Sequence, residues 1–282
     1  MCIIIVKEKG LELPNEEILN TCWENNNDGA GIMYHKPGMD HIRILKGFMD
    51  FKDLLESIKE LKLTKEDSIV YHFRWTTHGG TTPGNTHPFP ITDKINFLKA
   101  LNVKTDIGIA HNGIIPIKPS DDKISDTMEF IKSYLADLKK NGALFHPQSI
   151  KLMKNETGFS KYAFLNKNGN IQLIGKGWVI DKETGLKFSN SGYKETRSYY
   201  VSAWWEKEMT QPKTIGTGSY YEIKEIQEIE DYIFDLQVEL SNCQLSEMDR
   251  IGLTSELECY QVELEKTKER YGIKESIRNW EY

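Results

Sequence analysis

The sequence predicts an α+β protein, a layered domain with antiparallel strand pairing that is followed by a separate helical tail. Three observations carry this. Short strand-forming runs and hairpin signals lie on both sides of a helical middle stretch. They lack the regular strand–helix alternation of a parallel βαβ protein. After Trp204-Trp205 the chain first turns polar and then adopts near-heptad apolar spacing.

Taken in order, Ile3-Ile4-Ile5-Val6 is a β-branched run that fits a buried strand. Leu11 to Glu17 opens a short helix, with Pro14 and two acids early and Ile18, Leu19 and Cys22 on its apolar face. The cluster Asn25-Asn26-Asn27-Asp28-Gly29 marks a turn. Ala30–Tyr34 then reads as a strand, and the alternating segment His41–Leu45 pairs with it across Lys36-Pro37-Gly38-Met39. Phe51, Leu54, Leu55, Ile58 and Leu61 keep helical spacing. Ser68–Phe73 reads as a strand, and a stretch rich in Thr, Gly and Pro runs on to Pro90. Ile107–His111 is a further apolar strand, ending in Asn112-Gly113. Asp126–Leu138 reads as one helix with Met128, Ile131, Tyr134, Leu135 and Leu138 inward. Tyr162–Leu165 and Ile171–Ile174 form a hairpin around Asn168-Gly169, and Trp178–Ile180 and Leu186–Phe188 are the last strands.

These features divide the chain into a main domain over residues 1–205, a linker over 206–220 with Pro212, Gly216 and Gly218, and a helical tail over 221–282. In the tail, Ile223, Ile226, Ile233, Leu236, Leu240 and Cys243 form one apolar stripe, and Leu253, Leu257, Tyr260, Leu264 and Tyr271 another. Ser246 suits an N-cap between them. The tail holds 16 acidic and 7 basic side chains, a net of −9 against −6 for the chain, so the remainder is about +3. It reads either as a hairpin packed on itself or on the main domain, or as a coiled-coil surface for self-association or a partner.

The 282 residues are 39% hydrophobic and 28% charged, as in an ordinary globular protein. A net charge of −6 with no basic block argues against a nucleic-acid partner. The four cysteines, Cys2, Cys22, Cys243 and Cys259, have neither disulfide-framework nor zinc-site spacing, so a reducing cytoplasm is the expected home. No run approaches the roughly 18 apolar residues that span a membrane, and the apolar start lacks the features of a signal peptide. No cofactor is implied, and His72 and His78, six apart with no acidic pair, do not suggest a metal.

Chemistry concentrates at Cys2 and at three strand ends. With Met1 removed, Cys2 would carry a free α-amine, whose reference pKa of about 7.7–8.0 suits it to take the thiol proton. The alternative is a small buried hydrophobe. Arg74, within His72-Phe73-Arg74-Trp75-Thr76-Thr77-His78-Gly79-Gly80, could grip a carboxylate or form a surface ion pair. Asn112-Gly113 offers a side-chain amide and a backbone N–H for an oxyanion, or a plain turn. Asp126, in Ser125-Asp126-Thr127, suits an ammonium group or a helix start.

Together these stretches resemble the glutaminase domain of class II glutamine amidotransferases, the N-terminal-nucleophile (Ntn) hydrolases, most closely the amidotransferase half of glucosamine-6-phosphate synthases. The resemblance covers Cys2, Asp28-Gly29-Ala30-Gly31-Ile32, Arg74–Gly79 with Asn85-Thr86-His87-Pro88, His111–Ile115 and Ser125–Thr127, in the family's order over roughly residues 2–200. It implies a four-layer αββα sandwich of two antiparallel sheets. It further implies that Cys2 attacks the side-chain amide of L-glutamine, that Asn112 and Gly113 hold the oxyanion, and that Arg74 and Asp126 bind the α-carboxylate and α-ammonium. Trp75, Thr77 and His78 would line or close the pocket. Two positions depart from the family. Ile3 replaces a Gly, placing a side chain beside the nucleophile, and Asn25-Asn26 replaces Arg-Gly. No ammonia-using domain is readable after residue 205, so the expected acceptor is a separate synthetase, with the tail as docking or self-association element. The alternatives are a stand-alone hydrolase of another γ-glutamyl amide and an inactive binding module.

Overall fold

A computed structural model describes residues 2–75, 80–121, 123–156, 160–194, 226, 229–230, 233 and 247–270. The chain divides into two units, Met1–Val201 and Ser202–Tyr282. The first is α+β with two antiparallel sheets. Its elements are β1 (Ile3–Lys7), α1 (Glu16–Asn25), β2 (Ala30–His35), β3 (Ile42–Phe48), α2 (Phe51–Leu61), β4 (Ser68–Phe73), β5 (Phe89–Pro90), α3 (Ile95–Lys99), β6 (Asn102–Thr105) and β7 (Ile107–Asn112). They continue with α4 (Asp126–Phe130), a π-helical segment (Ile131–Leu135), α5 (Ala136–Lys140), α6 (Pro147–Glu156), β8 (Lys161–Asn166), β9 (Ile171–Ile174), β10 (Val179–Ile180) and β11 (Lys187–Phe188).

The larger sheet has the order β10-β11-β1-β4-β2-β3-β6, and the smaller one β5-β7-β8-β9. Because side chains alternate along a strand, each sheet supplies two apolar faces. Ile3 and Ile5 of β1 join Ile69, Tyr71 and Phe73 of β4 in a core closed by Leu19 and Cys22 of α1 and Leu54 of α2. Ile4 and Val6 face the other way, with Met33 and Val70, and meet Ala110, Ala163 and Leu165 of the smaller sheet. The opposite face of that sheet, with Ile109, Tyr162 and Phe164, packs on Met128, Phe130, Ile131, Leu135 and Met153. In the first unit the two sheets thus share one apolar layer, and helices cover an outer face of each.

Local sequence explains the boundaries. Asn15 caps α1, its side chain accepting the N–H of Ile18 at 2.8 Å, so Pro14 stands before the cap rather than inside the helix. Asp50 caps α2 through the N–H of Lys52 at 2.7 Å. The hairpin joining β8 to β9 turns at Gly169, whose φ of +77° suits glycine.

The predicted single helix over Asp126–Leu138 differs from the observed one. The π-helical segment inserts a residue, and the face rotates. Met128, Ile131 and Leu135 stay buried and Leu138 partly so, whereas Tyr134 is turned out and 51% exposed. Three elements carry too little pattern to be read. In β6 only Val103 is buried, α3 is five residues long, and α6 has a mostly polar sequence.

Of the second unit, α7 (Glu247–Arg270) is described, together with helical residues at 226, 229–230 and 233. Lys268 Nζ lies 3.1 Å from Glu230 Oε1, and Ile226, Ile233 and Thr267 are buried. The expected N-cap Ser246, Cys243 and the linker lie outside the described residues. Among the described residues no helix is long and apolar enough to cross a membrane.

Gly108 lies where the two sheets approach closely. A Cβ there would lie 2.9 Å from Met33 Sδ, 3.0 Å from Ile44 Cδ1 and 3.1 Å from Ile42 Cδ1. Gly108→Val should overpack this layer and lower the unfolding free energy by about 1–3 kcal/mol, read as a reduced urea midpoint. An unchanged midpoint would show that the layer has slack.

Candidate active site

Antiparallel register gathers several chain segments at one end of the sheets. Ile3 pairs with Phe73, Ala30 also pairs with Phe73, and Ile5 pairs with Phe188. The start of β1, the end of β4, the start of β2 and the end of β11 therefore coincide. Cys2, Arg74, Gly29 and Ser189 are the next residues outward.

Cys2 is half-buried, and it lies beside the Trp75 backbone. The N–H of Trp75 points to Sγ at 3.4 Å, and Sγ is 3.5 Å from the Trp75 carbonyl oxygen. The Cys2 carbonyl accepts from Asn190 Nδ2 at 2.9 Å. Ile3 is buried in the core beneath α1, and the strand alternation that sends it there sets Cys2 on the opposite face with Ile4. The Ile3 side chain therefore points into the helix-side core.

Arg74 is only 4% exposed, with Nη1 donating to the Gly80 carbonyl at 2.8 Å. Its backbone is locked to the early turn by two bonds, Arg74 N–H to Gly29 O at 2.8 Å and Asp28 N–H to Arg74 O at 3.1 Å. Burial pulls the guanidinium pKa down, and the negative charge of Cys2, Asp28 and Asp126 opposes it. Arg74 is thus within electrostatic reach of the sulfur and of two carboxylates. Asn25, in place of a basic residue, is buried and donates to the Gly192 carbonyl at 2.6 Å.

Asn112 ends β7 and is buried. Its Nδ2 donates to Ser189 Oγ at 3.1 Å, and its Oδ1 has no hydrogen-bond partner among the described residues. Gly113 has a φ of +141°, and a Cβ there would sit 2.6 Å from Ser160 Oγ, so both backbone angle and space exclude a side chain. Ser125 caps α4, accepting the N–H of Met128 at 3.2 Å. Asp126 is therefore released from capping. Its Oδ2 accepts the Ile115 N–H at 2.8 Å and its Oδ1 the Thr127 N–H at 2.7 Å, which ties the loop after Gly113 to the helix start. Oδ1 also lies 3.4 Å from Thr127 Oγ1, and Oδ2 keeps a second lone pair. Trp75 is half-buried, and Thr77 and His78 lie outside the described residues.

A second anchor of the same loop is Glu129. Burial alone would raise its pKa, but hydrogen bonds from Ser120, Ser133 and Lys132 hold it down to about 2. The geometry also adds Ser189, Asn190 and Lys161 to the site. The polar run Ser189-Asn190-Ser191-Gly192 just after a strand was the available signal, but the same composition marks any exposed turn.

Three imidazoles are buried behind these groups. His87 packs at a tilt against His72 with centroids 4.3 Å apart and edge-on to Phe89 at 4.6 Å; His111 stacks on Tyr162 at 4.8 Å. His72 Nε2 lies 3.0 Å from the His111 carbonyl, so that nitrogen carries the proton. Its Nδ1, both nitrogens of His87 and Nε2 of His111 have no partner among the described residues. Burial pushes His72 down to about 3 and His111 to about 4, and holds His87 well below the usual imidazole range. His87 is tilted by 38° to His72 and stands edge-on to His111, and among the described residues no group of three or more His, Cys, Asp or Glu is placed to hold a metal ion.

No protein-family model matches the chain, and no curated protein matches it. Among solved structures, similarity is found to glutamine phosphoribosylpyrophosphate (PRPP) amidotransferase from B. subtilis complexed with ADP and GMP. The two are 14% identical with a TM-score of 0.44, over 68% of this chain and 42% of that one.

The neutral imidazoles make stability depend on pH. An unfolded histidine protonates near pH 6.5, whereas in the fold His72 stays neutral to about pH 3 and His111 to about pH 4, and burial holds His87 well below its usual range. The unfolded state binds more protons in this window, so stability is intact above about pH 6.5 and falls as pH drops toward 4. Each imidazole contributes about 1.4 kcal/mol per pH unit across the window. Urea denaturation from pH 7 to pH 4.5 should show this slope, and His87→Phe should make it less steep by about one imidazole's share. An equal slope in the variant would show that His87 does not titrate on unfolding.

Proposed function

We propose that the first unit is a glutamine amidohydrolase of the class II amidotransferase type, with the four-layer αββα architecture of N-terminal-nucleophile hydrolases and Cys2 as nucleophile once Met1 is removed. The observation that carries this is the position of the sulfur. It lies against the Trp75 backbone next to Arg74, while Ser189 joins Asn112 to the strand that Cys2 begins.

These placements support the following reaction. The α-amine takes the thiol proton, and Sγ attacks the side-chain amide carbon of glutamine. Negative charge grows on the amide oxygen, and an Asn112 Nδ2 hydrogen and the Gly113 N–H stabilise it. The C–N bond breaks, the protonated amine returns its proton to the departing nitrogen, and ammonia and a thioester result. Water, deprotonated by the same amine, attacks the thioester and releases glutamate and the free thiol. Arg74 binds the α-carboxylate and Asp126 the α-ammonium, which selects a free amino acid and aligns its amide with the sulfur. Trp75, Thr77 and His78 line or close the pocket. The ammonia passes to an acceptor on a separate synthetase, with the helical tail as docking or self-association element.

Protein whose measured mass shows Met1 to be absent should release glutamate from glutamine. Cys2→Ala should abolish release, and Asn112→Ala should lower kcat by about 10²–10³. Undiminished release by Cys2→Ala would end the assignment. Preference for another γ-glutamyl amide over glutamine would keep the nucleophile but change the substrate.

A further inference from the structure

Ser189 is fully buried just beyond β11 and bonds to three other chain segments. Its backbone N–H donates to the Ile4 carbonyl at 3.0 Å. In a regular antiparallel pair the Ile4 N–H would return to the Ser189 carbonyl. Here it goes to Ser189 Oγ instead, at 2.9 Å. The carbonyl is thereby released, and it accepts from Lys161 Nζ at 2.7 Å. The hydroxyl also accepts from Asn112 Nδ2 at 3.1 Å. Asn112 and Lys161 are direct partners in the β7–β8 pairing. One residue of the larger sheet therefore holds two neighbouring residues of the smaller one and the second residue after the sulfur.

We propose that Ser189 is a positioning residue for the glutaminase reaction: its hydroxyl fixes the Asn112 carboxamide relative to the strand that carries Cys2. This rests on the function proposed above. A carboxamide NH2 has two hydrogens. Ser189 takes one, which sets the amide plane and leaves the second with a single direction, toward the oxygen on which charge develops. Asn112 needs such a clamp, because its Oδ1 finds no partner among the described residues. Without Ser189 the amide can rotate, and an oxyanion donor that must be oriented during the reaction loses much of its effect. Substrate binding through Arg74 and Asp126 does not involve this bond, so the effect belongs to kcat.

The test is a double-mutant cycle on Met1-free protein with glutamine as substrate. Ser189→Ala should lower kcat about tenfold to a hundredfold with KM within threefold, and Cys2 should still be alkylated by iodoacetamide at the parental rate. In an Asn112→Ala background, Ser189→Ala should cost no more than a further twofold, because its effect runs through Asn112. Full multiplication of the two losses would overturn the proposal. So would an undiminished kcat in Ser189→Ala when the parental protein turns over glutamine. If Ser189→Ala does not fold, Ser189→Cys keeps the side-chain shape at slightly larger size with a weak acceptor and should lower kcat at least fivefold at unchanged KM; full activity there overturns the proposal. Absence of turnover in the parental protein would remove the glutaminase reading and this inference with it.

Discussion

The pairing of Ile3 with Phe73 decides where the proposed reactive groups of this molecule meet. β1 is an inner strand of the larger sheet, with β11 on one side and β4 on the other. A one-residue slip would exchange its two faces. Ile3 and Ile5 would leave the helix-side core, Ile4 and Val6 would leave the layer between the sheets, and Cys2 would turn toward α1. Four buried side chains, two on each face, oppose that slip. Burying each is worth about 1.5–3 kcal/mol, so the register that aims the sulfur is held by the core and not by the site.

Polar groups buried in the same layers are arranged at a cost. Lys7 gives its ammonium to three carbonyls, those of Thr64, Lys65 and Asp67. Lys46 gives its own to Gly84 and Leu98 and sits 3.8 Å from the centre of the Phe89 ring. Burial lowers the pKa of both. These bonds fasten loops onto the larger sheet, among them the segment that leads through Asn85 to His87. His87 has no such compensation among the described residues, and it avoids the larger cost of a buried charge by remaining neutral. Unpartnered imidazole behind a set of proposed reactive groups is the pattern in which local stability is given up for a defined arrangement.

Much of the secondary structure was legible because the pattern was strong. Phe51–Leu61, Ser68–Phe73 and Ile171–Ile174 have the same limits in sequence and structure, since apolar periodicity and turn residues agree at both ends. Legibility failed where tertiary packing outweighed local pattern. Tyr134 keeps helical spacing with Ile131 and Leu138, and only the π insertion turns it outward. Val103 is one buried residue in a four-residue edge strand, too little for a period to register.

Of the candidate site, the chemical inventory was readable from the residues alone. It held a cysteine after the initiator, an arginine and an asparagine–glycine pair at strand ends, and an aspartate at a helix start, because those residue types carry their chemistry wherever they are placed. Their mutual relations came from the fold. It put Cys2 against Trp75, turned Ile3 into the core, released Asp126 from capping in favour of Ser125, and brought Ser189 to Asn112 across 77 residues. No local pattern encodes such contacts. They depend on strand order and register, which are set by the summed burial of three apolar layers and not by the residues that meet.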